Sequence, residues 1–415
     1  MTAAVSDNRM VRDGIALSAG AAFTSVAGLL GWVISARLVS TAEVGLTAAF
    51  TSGFLLVSGV TQVSLGPAVL RWLPRAGGRS GKLLLRTYAV VMAGAVLGSL
   101  VFLAFPSGRQ AAEAVPGWGA PLFVVVTLAW AMLQFQDPVL TGLDRAGAVL
   151  VKNLGFGIGR IGVLVLAASL GALGILLSWA VPTILAVLGA TVVVVTASRR
   201  RDHTQPPGVL PDRREVVGLL GPTYLASIGQ SLMYYLVPLI VTARYGPAPG
   251  AVFFVVWTAV NAVDVAATGF VNSLVVRVAG EPHRAKELVR LAGSRLAVLF
   301  GPMIVIGALL AHPLLSIFGS DYAELGSTAL VLVLIGFAPR LLILLAIGVF
   351  QADGRGVPVA AFQLAGAAVM LTVAALLPTG GLAPIAVGFL LVQSVVAVVA
   401  TVVLRQRLAG QEKTA

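Results

Sequence analysis

Cysteine is absent from the 415 residues, and histidine is limited to His203, His283 and His312. Disulfides and thiolate metal sites are therefore excluded, and three scattered histidines make no cluster, so no metal centre or other cofactor is expected. Charge is also scarce. Asp, Glu, Lys and Arg together make up 11% of the chain against 58% hydrophobic residues, and the mean hydropathy is +0.98. A soluble domain cannot cover itself with so little polar surface, so the expected class is an all-α, polytopic membrane protein.

A helix needs roughly 20 apolar residues to cross a hydrocarbon layer about 30 Å thick. The sequence supplies about twelve such stretches, near residues 14–38, 44–70, 87–106, 119–142, 150–171, 174–197, 218–244, 249–276, 295–318, 326–350, 357–377 and 382–404. The first is too long for a cleaved leader and ends at Arg37 and Leu38, where a small-residue cleavage site would belong, so it is expected to stay as helix one. The net charge of +12 needs no nucleic acid to explain it, because the basic residues fall on alternate connections. Arg9 and Arg12 come first. The others are Arg71 to Arg86, Arg145 and Lys152, Arg199 to Arg214, Arg277 to Arg295, Arg355, and Arg405 to Lys413. The intervening connections carry Glu43, Glu113, Asp321 and Glu324 beside a lone Arg109. By the positive-inside rule both termini are expected in the cytoplasm, in the cytoplasmic (inner) membrane of the cell.

The chain also echoes itself. Ser35-Ala36-Arg37-Leu38 closes the first span, and Thr242-Ala243-Arg244-Tyr245 closes the seventh. Arg71 follows span two as Arg277 follows span eight, and Leu143-Asp144-Arg145-Ala146-Gly147 after span four matches Ala352-Asp353-Gly354-Arg355-Gly356 after span ten. Such doubling is the mark of a transporter built from repeats. The expected organisation is an N-lobe over 1–197 with helices one to six, a Pro-containing cytoplasmic linker over 198–217, and a C-lobe over 218–415 with helices seven to twelve.

Gly157 to Gly162 satisfies GxGxxG but lies inside an apolar span with no preceding strand, so close helix packing is the expectation. Ala76 to Lys82 resembles a phosphate loop only loosely, with Ala for the first Gly and Leu83 where Ser or Thr is needed. No ATP site is predicted. His283 to Arg290 reads as an amphipathic cytoplasmic helix.

A charge at the bilayer centre costs about 2.5–3.5 kcal/mol even on the insertion scale, so each must be paired or wetted. Asp137 and Arg160 sit at similar expected depth and are read as a pair, either fastening helices four and five or acting as an inner gate or proton relay. Asn261, Asp264, Thr268 and Asn272 form one polar stripe on helix eight. That stripe is expected to line a cavity, with Asp264 binding a coupling cation or titrating, or else to contact another helix. Arg340 follows Pro339 in helix ten, as Asp137 precedes Pro138 in helix four, in registers about five residues apart. Proline breaks in corresponding helices point to a central site, and Arg340 either pairs with Asp264 or meets substrate there.

Ala36-Arg37-Leu38 with Glu43 and Gly45, the loop Phe318-Gly319-Ser320-Asp321-Tyr322, and the Leu143-Asp144-Arg145 turn followed by Lys152-Asn153 resemble the bacterial polysaccharide, or O-antigen type, flippases. These belong to the multidrug, oligosaccharidyl-lipid and polysaccharide exporter superfamily. The resemblance implies two six-helix pseudo-repeat lobes around a central cavity, alternating access, and a polyprenyl-diphosphate-linked oligosaccharide turned from the inner to the outer leaflet. Membrane lipids, a coupling cation (H+ or Na+) and other membrane proteins of polysaccharide assembly are the partners it implies. Arg37 and Arg244 then either anchor helix ends or form a cationic rim for the diphosphate, with Arg340, Asn261 and Asn272 as further substrate contacts. A cation-coupled drug exporter of the same superfamily would need acidic residues in helix one or seven, where helix seven offers only Gln230, Tyr234 and Tyr235. A membrane enzyme of polysaccharide assembly would need a larger outer loop than the one from about Pro106 to Trp118.

Overall fold

The computed structural model of the protein describes residue 20 and residues 23–281 and 284–412. The expectations for Arg9, Arg12, His283 and Lys413, and for the side chain of Arg277, lie outside the described residues. Contacts divide the chain into two units, Met1–Leu220 and Gly221–Ala415.

The first unit contains α1 (Phe23–Leu38), α2 (Thr41–Gln62), α3 (Leu65–Ala76), α4 (Ser80–Ala104), α5 (Pro106–Ala112), α6 (Gly119–Gly142), α7 (Ala146–Ala167), α8 (Ala172–Thr204) and α9 (Arg213–Gly218). The second contains α10 (Pro222–Ser231), a π-helical turn (Leu232–Leu236), α11 (Val237–Tyr245), α12 (Pro247–Gly280), α13 (Ala285–Leu309), α14 (Ala311–Ser316), α15 (Ser320–Ala352), α16 (Gly356–Leu376) and α17 (Ala383–Glu412). Among the described residues no strand forms, and 11 helical stretches are long and apolar enough to cross a membrane. The twelfth expected span is represented by α1, whose predicted start lies outside the described residues.

Local chemistry sets the boundaries. Ser40 caps α2 by accepting from the Glu43 amide while its own hydroxyl bonds the Glu43 carboxylate at 2.6 Å. That carboxylate also accepts from the Ala172 amide, joining the N-termini of α2 and α8, where the helix dipoles favour an anion. Prolines open α5, α10 and α12, where a missing N–H costs nothing. The repeat is visible in the turns. Arg145 N donates to Leu140 O at 2.8 Å across Asp144 at φ +60°, and Arg355 N donates to Phe350 O at 2.8 Å across Gly354 at φ +69°. Each unit also places one short helix, α5 or α14, between its third and fourth spans. Burial repeats as well. The α2–α3 stretch and α6 of the first unit and α12 and α15 of the second bury 56–72% of their apolar windows, against 22–28% for α4 and α13. The latter pair turn side chains such as Leu85, Leu97, Val298 and Leu309 outward, as lipid-facing helices do.

Two expectations need adjusting. The sixth helix continues through Ser198–Thr204, and the rest of the expected linker folds back on its own unit. There Gly208 N bonds Ala76 O and Val209 N bonds Arg75 O, while Arg75 pairs with Glu215 at 2.9 Å. The loop that resembles a phosphate cradle has its Gly78 amide on Pro206 O and its Gly81 amide on the Asp202 carboxylate. The segment before Arg290 is the first part of α13, entered by Arg284 bonded to Glu281 and Glu287. Gly157 and Gly159 pack as expected, because a Cβ there would lie 2.7 Å from Phe23 and 3.1 Å from Pro182.

Candidate functional site

In the second unit one buried polar cluster joins α10, the π turn, α12 and α15. Arg340 Nε of α15 donates to Asp264 Oδ1 of α12 at 2.9 Å, with both side chains 4% exposed. Tyr234 of the π turn donates its hydroxyl to the other carboxylate oxygen of Asp264 and accepts from Gln230 Nε2 at 3.4 Å. An extra residue in a helix releases carbonyls from the regular ladder. Here the Tyr234 carbonyl accepts from Trp257 Nε1 at 3.0 Å. Arg340 Nη2 is buried without a hydrogen-bond partner. Beside the cluster lies a cavity of about 10 Å³ bounded by Asn261, Met233, Phe337 and Phe389, room for about one water molecule.

The alternative that Arg340 pairs with Asp264 is therefore the arrangement observed. Of the helix-eight stripe, Asn261 reaches this cavity, Thr268 buries an unpartnered hydroxyl, and Asn272 is exposed. The two proline-linked charges are not equivalent. Measured from the matching turns, Asp137 stands eight residues before Arg145 and Arg340 fifteen before Arg355, and their prolines stand seven and sixteen before. The two prolines thus differ by nine residues, about 13 Å along a helix, instead of about five.

The first unit corrects the expected pair. Asp137 meets Lys152 at 2.5 Å, and Lys152 Nζ also donates to Leu133 O at 2.5 Å. The hairpin of α6 and α7 turns at Leu143–Arg145, and residues equidistant from a turn face one another. Position 137 is therefore matched by 152, and Arg160 lies about 12 Å further along α7. Arg160 is buried with its guanidinium 3.8 Å from the centroid of the Trp179 ring and 5.9 Å from that of Trp32. Gly31 of α1 leaves the room, since a Cβ there would lie 3.1 Å from Arg160 Cζ. Arg160 Nε has no hydrogen-bond partner, and among the described residues no carboxylate lies in ion-pair range of the group. Around it, Phe54, Trp130, Phe156 and Trp179 form a cluster with ring centroids 5.1–6.1 Å apart.

The two helix-end arginines differ in circumstance. Arg37 is exposed at the end of α1. Arg244 Nη1 donates to Ala374 O at 3.0 Å and Leu377 O at 2.8 Å, capping the C-terminus of α16. Sequence reasoning missed Lys152 as a partner and Tyr234 as a site residue. The signal for Tyr234 was its place with Gln230 as one of the few polar groups in an otherwise apolar span.

No protein-family model matches the chain, and no curated protein matches it in sequence. Solved structures do match. One is the inward-facing conformation of a multidrug resistance MATE family transporter of the MOP superfamily, at TM-score 0.69 and 14% identity over 94% of this chain and 96% of that one. Another is the lipid II flippase MurJ in an inward closed conformation, at 0.70 and 12% over 94% and 87%. A third is a MOP superfamily transporter from Pyrococcus furiosus, described by a reversed polarity of its binding pocket, at 0.60 and 14% over 97% and 96%. The chain shares their all-α membrane fold of two related lobes.

Proposed function

We propose that the protein is a transporter that turns a polyprenyl-diphosphate-linked oligosaccharide from the inner to the outer leaflet, by alternating access, for assembly of cell-surface polysaccharide. The observation that carries this reading is Arg160, which has no counter-charge among the described residues. The charged side chains buried in the described spans are Lys152, Arg160, Asp264 and Arg340; Lys152 pairs with the half-buried Asp137 and Arg340 with Asp264, while Arg160 lies on an aromatic face. A positive balance inside the membrane suits an anionic cargo and repels a cationic drug. The fold, shared with both drug transporters and a lipid flippase, is compatible with either.

In this reading Asp264, Arg340 and Tyr234 form the rearranging element of the second unit, and Arg37 remains a candidate for the diphosphate rim. The cytoplasmic membrane with both termini inside is the matching topology. ATP is not required. Moving two negative charges outward across a membrane negative inside is favourable by about 4.6 kcal/mol at 100 mV, before any cotransported cation is counted.

Mass spectrometry of polyprenyl-linked sugars from cells depleted of the protein tests the proposal, with leaflet access probed by glycosidase added outside. Accumulation of a protected, inner-leaflet lipid-linked oligosaccharide is expected. Unchanged lipid intermediates together with altered sensitivity to toxic cations would move the assignment to drug export.

A further inference from the structure

The second unit holds a second polar space, chemically unlike the charged cluster. A pocket of about 350 Å³ opens between the start of α10, the end of α15 and the first turns of α16, lined by Thr223, Ser227, Gln230, Gln351, Val359 and Gln363 among others. Its volume falls in the range of small-molecule sites, about 300–1,000 Å³. No charged side chain lines it. The neighbouring charges are engaged elsewhere, Asp353 by the guanidinium of Arg407 and Arg355 against the Phe350 ring.

Three carboxamides dominate the lining, and each offers two donors and an acceptor with two lone pairs. Gln363 is 8% exposed, and its amide makes no hydrogen bond to protein among the described residues and faces the pocket, where solvent or a ligand meets it. The helices are held close around it by Gly229, whose Cβ would lie 2.7 Å from the Gln363 carbonyl carbon. The pocket also has an outlet to the charged cluster, because Gln230 both lines it and donates to Tyr234, which bonds Asp264.

We infer that this pocket is a sugar-recognition site for uncharged hydroxyl and acetamide groups, and that occupancy is passed through Gln230 and Tyr234 to the Asp264–Arg340 pair. An anion would find no cation in the lining and a cation no carboxylate. An acyl chain would strand the three carboxamides. Adjacent hydroxyls, which donate and accept side by side, match carboxamides on both counts. The inference rests on the flippase reading for its biological ligand, the sugar portion of a lipid-linked oligosaccharide, while the diphosphate is recognised elsewhere.

The test uses full-length protein in lipid nanodiscs, which avoids sugar-headed detergents, and saturation-transfer NMR with millimolar maltose or N,N′-diacetylchitobiose. Saturation should reach one of these saccharides, and Gln363→Leu should weaken binding about tenfold, the equivalent of one lost hydrogen bond. Gln351→Leu, at the exposed rim, gives the same test where Gln363→Leu fails to fold. The inference is overturned by no transfer to either saccharide, or by transfer unchanged in the folded variants. Phosphatidylglycerol in the nanodisc that competes the saccharide away would reassign the pocket to a lipid polyol and likewise overturn it. Lipid-linked sugar accumulation in depleted cells without saccharide binding leaves the flippase reading standing and removes this site. Saccharide binding without accumulation does the reverse.

Discussion

At the scale of single residues, the structure separates the buried charges of the described residues into those that are paired and one, Arg160, that is not. Removing one member of a buried ion pair leaves an uncompensated charge and costs about 3–5 kcal/mol, whereas replacing both is close to neutral. Asp264→Asn and Arg340→Met should each destabilise the protein by about that amount in thermal unfolding, and the double variant should regain most of it without regaining transport. Recovered transport would show the pair to be a fastener only. Arg160 behaves oppositely, since its ring contacts leave no carboxylate stranded when it is removed. Arg160→Met should unfold at nearly the wild-type temperature and lower transport at least about tenfold, the loss of one charge-assisted contact to an anion; wild-type transport would remove the charge argument. That buried charges needed partners was legible from the cost of a charge in lipid, and Asp264 with Arg340 was among the pairings it allowed. Lys152 was missed because it was read as the membrane boundary instead of as the residue facing Asp137. The carbonyl acceptors of Arg244 carry no sequence signature, being backbone atoms of a helix 130 residues away.

At the scale of elements, the repeat makes matched experiments possible. Asp144 holds a left-handed conformation that its counterpart Gly354 adopts freely, at a cost to a non-glycine residue of roughly 1–2 kcal/mol that Asp partly offsets by local hydrogen bonding. Asp144→Gly should therefore raise stability by up to about 1 kcal/mol and Gly354→Asp lower it by a similar amount. Equal shifts of the same sign would contradict the equivalence of the two turns. Where α10 crosses α16, a Gly229 side chain would meet backbone. Gly229→Ala should cost about 1–3 kcal/mol by overpacking, visible as a lower unfolding temperature. Spans were readable because a bilayer demands long apolar runs, and the turn echoes survive because a five-residue backbone motif constrains its side chains. The π turn was not readable, since nothing in Leu232 to Leu236 marks an extra residue in the helix.

At the scale of the whole molecule, two units share a turn and helix plan but carry different interior chemistry, a guanidinium among aromatics in one and a carboxylate–guanidinium–phenol cluster in the other. The common plan was legible as a repeat; the division of chemistry was not, because it depends on which side chains face inward at each level. The distance along the chain between Asp264 and Arg340 also bears on how the protein is made. The partners are 76 residues apart, and at about 5–20 residues per second the ribosome delivers Arg340 roughly 4–15 seconds after Asp264. Throughout that interval α12 carries a carboxylate that by itself disfavours entry into lipid by about 2.5–3.5 kcal/mol. Tyr234, 30 residues upstream, is already synthesised, so its phenol can shelter the newborn acid until the arginine arrives.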